Sequence, residues 1–214
     1  MISIYPSLMA ADQLNLEKEI HLLESHCSGF HLDVMDNHFV PNITWGASTV
    51  NAIAAISTVW VHLMIDNPMH FYEQLKLKPD SLVSFHIESE IDFFDVVKKI
   101  KEKKHRLSIA ISPKTPISRI VSFLDILDQV LVMSVEPGFS GQSFLTSTFE
   151  RLAELVEHRQ SHGGNWRIGI DGGVNAINIA MLAAHDVDDY AIGDGIFQQH
   201  NVAVALQQLY EEIK

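Results

Sequence analysis

Short apolar, β-branched runs recur along the chain at residues 2–8, 30–35, 59–64, 81–86, 107–112, 129–135, 166–171 and 190–193. They are continuous and show no strict alternation, the pattern of parallel strands covered on both faces. Stretches with helical spacing lie between them. One starts at Asp12, a candidate N-cap, and carries Leu16, Ile20 and Leu23. A second, 91–103, places Phe94, Val97 and Ile100 on an apolar face opposite a lysine-rich one. Residues 144–160 repeat the spacing through Leu152, Leu155 and Val156, and residues 202–213 do so again. Eight strands, each followed by a helix, predict an α/β fold: a TIM (β/α)8 barrel with a parallel eight-stranded sheet. No linker, charge block or low-complexity segment divides residues 1–214, which are expected to form a single domain.

Composition narrows the class. The 214 residues suffice for one barrel, and the 47% apolar content is that of an ordinary globular chain. A formal charge of −12 argues against nucleic acid or an anionic membrane as partner, since neither meets a basic patch. Cys27 is the only cysteine, so no internal disulfide forms and a reducing compartment is expected. The N-terminus lacks a basic region followed by a long apolar core. A cytoplasmic protein is the expectation.

Chemistry concentrates at the ends of the apolar runs. His31 and Asp33 lie two residues apart, so in a strand both project from one face. His62 follows Val59-Trp60-Val61, and Asp171 ends Trp166-Arg167-Ile168-Gly169-Ile170. A single histidine in such a run is commonly a hydrogen-bonded core residue. A buried aspartate is costly unless paired or metal-bound. Two of each, at the strand ends where barrels gather their chemistry, predict a metal site that also holds an acid–base pair. His21, His26, His105, His158, His162 and His200 fall in helices or polar loops and read as surface residues. Three glycine-bearing turns, Gly138-Phe139-Ser140-Gly141, Gly172-Gly173 and Gly193-Asp194-Gly195, follow the last three strands. Backbone N–H groups there are the usual means by which this architecture holds a phosphate.

These residues resemble a known family. Pro6-Ser7-Leu8, His31-Leu32-Asp33-Val34-Met35-Asp36, His38-Phe39-Val40-Pro41-Asn42-Ile43-Thr44, His62-Leu63-Met64, Val130-Leu131-Val132-Met133, Pro137-Gly138-Phe139-Ser140-Gly141-Gln142 and Asp171-Gly172-Gly173 look, in this order across 3–197, like the ribulose-phosphate 3-epimerase family. The resemblance implies a barrel that interconverts D-ribulose 5-phosphate and D-xylulose 5-phosphate at C3. It implies one divalent metal, zinc first, with iron, manganese or cobalt as substitutes. His31, Asp33, His62 and Asp171 are then the ligands, and Asp33 and Asp171 the catalytic acid–base pair. Ser7 and His62 contact substrate, Met35, Met64 and Met133 line the reacting carbons, and Gly138, Gly141, Gly172, Gly173, Gly193 and Asp194 surround the phosphate. The implied partner is a small ketose phosphate, and the implied assembly is a homo-oligomer.

Departures from the family pattern bear on the substrate. Asn37 and Ser140 stand where the family usually has glycine, and Ala183-Ala184-His185-Asp186 replaces its usual Ala-Gly-Ala-Asp. Asp194 stands where the family usually has a serine facing the phosphate. A carboxylate about 4 Å from a phosphate costs about 1 kcal/mol per charge pair in water and several at lower dielectric. Two alternatives follow: epimerisation of a related ketose or ketohexose 6-phosphate, or a barrel that binds sugar or metal without turnover.

Overall fold

β-Branched and aromatic residues fill the short runs, and each run pairs in parallel with its neighbours. The structure, a computed structural model, describes residues 2–213; Met1 and Lys214, the ends of the expected domain, lie outside the described residues. The strands are β1 (Ser3–Pro6), β2 (Phe30–Met35), β3 (Val59–Met64), β4 (Leu82–His86), β5 (Arg106–Ile111), β6 (Gln129–Met133), β7 (Arg167–Asp171) and β8 (Asp189–Ile192). They pair in the order β1-β8-β7-β6-β5-β4-β3-β2, and a parallel bridge from Ser7 to His31 joins the two edges. The result is a TIM barrel. Around it lie helices α1 (Leu16–Leu23), α2 (Ala47–Ile56), α3 (Pro68–Glu73), α4 (Phe93–Glu102), α5 (Thr148–His162), α6 (Ile179–Ala184), α7 (Asp194–Phe197) and α8 (Val202–Glu212).

The two faces of the sheet differ. Outward residues such as Leu32, Val34, Val61, Phe85, Ile109 and Ile168 bury against helix residues including Ile20, Val50, Leu152 and Leu206 in one continuous apolar layer. Inward residues carry a smaller apolar plug of Tyr5, Trp60, Leu82, Ala110, Leu131, Met133 and Ala191. Beneath the plug a polar floor closes the barrel. Arg167 pairs with buried Asp189 at 2.6 Å, Gln129 Nε2 donates to Asp189 at 2.8 Å, and Ser108 Oγ donates to Gln129 at 2.8 Å. Everything above the plug opens at the C-terminal ends of the strands.

Several expectations from the sequence need correction. The segment after β5 forms no α-helix; it folds as two 3-10 turns, Ile117–Arg119 and Val121–Ile126. Pro113 and Pro116 precede it, and each disfavours helical backbone at the residue before it. Asp12 does not cap α1, whose N-cap is Asn15; Asp12 accepts from the Leu14 N–H at 3.0 Å and so caps the preceding turn. In α4, capped by Asp92, the buried stripe is Phe93, Val96 and Ile100, and Phe94 is 80% exposed. α5 starts at Thr148, not 144, because residues 136–147 form the loop above β6. His105 is buried, its Nδ1 2.8 Å from the Tyr72 hydroxyl. Among the described residues no helix is long and apolar enough to cross a membrane.

Candidate active site

Strand periodicity assembles the site. β2 turns His31, Asp33 and Met35 inward, and β3 does the same with Trp60, His62 and Met64, placing Asp33 beside His62 in the register. β7 ends on Asp171, opposite Met133 of β6. Four donor atoms therefore meet at the mouth of the barrel. His31 Nε2 lies 3.1 Å from Asp33 Oδ1 and 3.6 Å from Asp171 Oδ2. His62 Nδ1 lies 3.3 Å from Asp33 Oδ1 and 3.2 Å from Asp171 Oδ2. One donor atom from each of the four residues lies within 4.8 Å of the others. Bonds of about 2.1 Å in a tetrahedron imply donor–donor edges of roughly 3.4 Å, which the four imidazole–carboxylate distances bracket. The residues present fit a divalent cation.

Electrostatics agree with that fit. Burial disfavours the charged imidazole of His31, but Asp33 and Asp171 override it and push it up to about 10. His62 is raised in the same way. Burial would raise Asp33, yet His31 and His62 hold it well below the usual carboxylate range. For Asp171, burial and the neighbouring Asp33 charge are outweighed by hydrogen bonds from the two imidazoles, and its carboxyl stays low. The two imidazoles and the two carboxylates thus favour one another's charged forms. A divalent cation meets the same carboxylates once the imidazole nitrogens that bind it are bare.

The remaining residues line one cavity of about 510 Å³. Ser7 Oγ donates to Asp33 Oδ2 at 2.7 Å, the oxygen turned away from the imidazoles. Met35, Met64 and Met133 line the wall beside the aspartates, and Phe39 and Val40 pack on Met35 and Met64 from the loop after β2. Gly138, Gly141, Gly172, Gly173, Gly193 and Asp194 line the same cavity. Gly172 and Gly173 have φ of +116° and +65°, and a Cβ on Gly173 would meet the Phe144 nitrogen at 2.7 Å. No other residue fits that turn. Among the described residues no lysine or arginine lines the cavity. Asp194 points inward: its Oδ2 lies 3.0 Å from where a Cβ on Gly141 would sit, and its Oδ1 is buried with no hydrogen-bond partner.

Two residues were not anticipated. His86, fully buried at the end of β4, lies with its Nε2 2.9 Å from His62 Nε2. Its Nδ1 lies 2.9 Å from Glu88 Oε2. Burial and the nearby His62 drive His86 down to about 4 despite Glu88. Burial opposes the charge on Glu88, but bonds from His86, Thr115 and Ser112 bring it to about 2. His86 ends an apolar run just as His62 does, so the same positional signal could have found it.

Comparison with known proteins adds the family context. The ribulose-phosphate 3 epimerase family model matches residues 3–197. A ribulose-phosphate 3-epimerase of Escherichia coli K12 is 32% identical over 98% of this chain and 95% of its own. Its counterpart in Aquifex aeolicus is 34% identical over 95% of this chain and 93% of its own. Among solved structures, KGPDC from Streptococcus mutans superposes with a TM-score of 0.70 at 11% identity, covering 100% of this chain and 97% of that one. That likeness concerns the fold.

Proposed function

The chain belongs to the ribulose-phosphate 3-epimerase family, a family of carbohydrate epimerases, and on that premise we propose that it interconverts D-ribulose 5-phosphate and D-xylulose 5-phosphate at C3 by two-base proton transfer. Inverting a carbon beside a ketone means removing a proton to give an enediolate and returning one on the other face. Asp33 rises from β2 and Asp171 from β7, so carboxylates approach the mouth from different sides. In this reading Asp33 Oδ2, held by Ser7, exchanges the proton on one face, and Asp171 does so on the other. His31 and His62 hold both aspartates ionised. Met35, Met64 and Met133 form an apolar wall that keeps water from the flat intermediate. The glycine turns present backbone amides to the distal phosphate.

A divalent cation held by His31, Asp33, His62 and Asp171 would supply Lewis acidity beside the oxygens that gain charge. Nitrogen and oxygen donors without thiolate suit zinc first, and also iron, manganese or cobalt. The convergence of four donor atoms at the barrel mouth carries this reading. The single cysteine and the acidic composition support a cytoplasmic setting, and a homo-oligomer belongs to the same reading.

One observation favours a second reading. Asp194 points its carboxylate into the end of the cavity assigned to phosphate, where Oδ2 faces the space beside Gly141 and can accept from a sugar hydroxyl. This would suit a related or unphosphorylated ketose. A coupled assay on D-ribulose 5-phosphate, D-allulose 6-phosphate and the two free ketoses, with metal measured on the same sample, tests both. Preference for ribulose 5-phosphate supports the first reading, and preference for a free ketose replaces it with the second.

A further inference from the structure

His62 presents its two ring nitrogens to different worlds. Nδ1 faces Asp33 and Asp171, and Nε2 faces His86 Nε2 at 2.9 Å. Two ring nitrogens at that distance share one proton: if both are bare their lone pairs repel, and if both are protonated their hydrogens clash. A nitrogen that binds a cation must be bare. A neutral His62 able to offer Nδ1 therefore carries its proton on Nε2 and donates it to His86.

His86 must then accept on Nε2 and carry its own proton on Nδ1. That proton points at Glu88 Oε2, 2.9 Å away. The other Glu88 oxygen accepts from the Ser112 N–H at 2.9 Å and from the Thr115 hydroxyl. In the opposite arrangement His86 Nδ1 is bare and meets a carboxylate oxygen, so two acceptors face each other in a buried site. Only one direction satisfies every member. Phe39 packs over His86 with ring centroids 4.7 Å apart, covering the pair from the loop after β2. We propose that His86 and Glu88 are positioning residues, a relay anchored on the end of β5 that fixes the His62 tautomer so that Nδ1 stays available to the metal. The inference rests on the metal reading above and extends it to residues outside the donor set.

The test uses zinc itself. Glu88→Gln keeps the size and the bond from Ser112 but turns an N–H toward His86 Nδ1, which reverses the relay and puts the proton on His62 Nδ1. Zinc affinity, measured by competition with a chromophoric chelator, should fall about 10- to 100-fold. His86→Gln can accept from His62 and donate to Glu88, so it should stay within a few-fold of wild type, whereas His86→Phe should lose as much as Glu88→Gln. A histidine ¹⁵N spectrum of the zinc-loaded wild type, which needs no variant, should show His86 protonated on Nδ1 and bare on Nε2. Wild-type zinc affinity in Glu88→Gln, or a His86 proton on Nε2, overturns the relay alone. A wild-type chain that binds no zinc overturns the metal reading and the relay with it.

Discussion

Replacing Asp194 by serine removes the one charged side chain that, among the described residues, lines the cavity besides Asp33 and Asp171. Asp194 Oδ2 reaches to 3.0 Å from the Cβ position of Gly141, across the space between the glycine turns. A phosphate seated among those turns lies within about 4 Å of the carboxylate, where each pair of unit charges repels by about 1 kcal/mol in water and about 4 kcal/mol at an effective dielectric of 20. The cavity opens to solvent, so the lower part of that range applies. Relief of about 1–2 kcal/mol corresponds to a KM about 5- to 30-fold lower. The phosphate is remote from C3 and its binding is felt equally in ground and transition states, so kcat should barely change. Asp194→Asn removes the charge and keeps the shape, which separates repulsion from bulk. Initial rates on D-ribulose 5-phosphate, coupled to consumption of xylulose 5-phosphate, give both constants. An unchanged KM in both variants refutes the repulsion, and a loss of activity on a free ketose in both identifies Asp194 as a hydroxyl acceptor.

Other outcomes follow from the same geometry. The purified protein should hold about one divalent metal per chain, and a strong chelator should abolish activity that zinc, iron or manganese restores; full activity in a metal-free sample contradicts this. Asp33→Asn and Asp171→Asn should each lower kcat/KM by about 10²- to 10⁴-fold, because each removes a base and a ligand, and near-normal turnover in either refutes the pairing. Metal affinity should fall as pH falls. His31 is raised to about 10 and His62 is raised in the same direction by the same two carboxylates, so a cation competes with protons for their nitrogens. Apparent affinity should therefore rise with pH through the neutral range, as chelator competition across pH would show, and a pH-independent affinity contradicts it.

The barrel was legible because its strands are buried on the outer face by an unbroken apolar layer, and that layer is what the runs record. The quartet was legible because aspartate is too costly in such runs without a partner. What escaped notice depends on neighbours distant in sequence. His105 looked like a polar residue at a helix end, and its burial beside Tyr72, 33 positions away, is a tertiary contact. The Phe93-Phe94 doublet offered two registers for α4, and the cap at Asp92 selects the first. His86 and Glu88 lie outside the cavity lining, and their meaning comes entirely through His62. For Asp194 the sequence identified the departure, while its inward direction depends on the backbone at Gly193 and on the space left by Gly141.

Two-base inversion is tested most directly by running the reaction on D-ribulose 5-phosphate in deuterated water and following C3 by mass and NMR. If Asp33 and Asp171 serve opposite faces, early product carries one deuterium at C3 while unreacted substrate carries none, because the acid that returns the proton has exchanged with solvent. Product that keeps the original C3 hydrogen, or substrate labelled as fast as product, contradicts it.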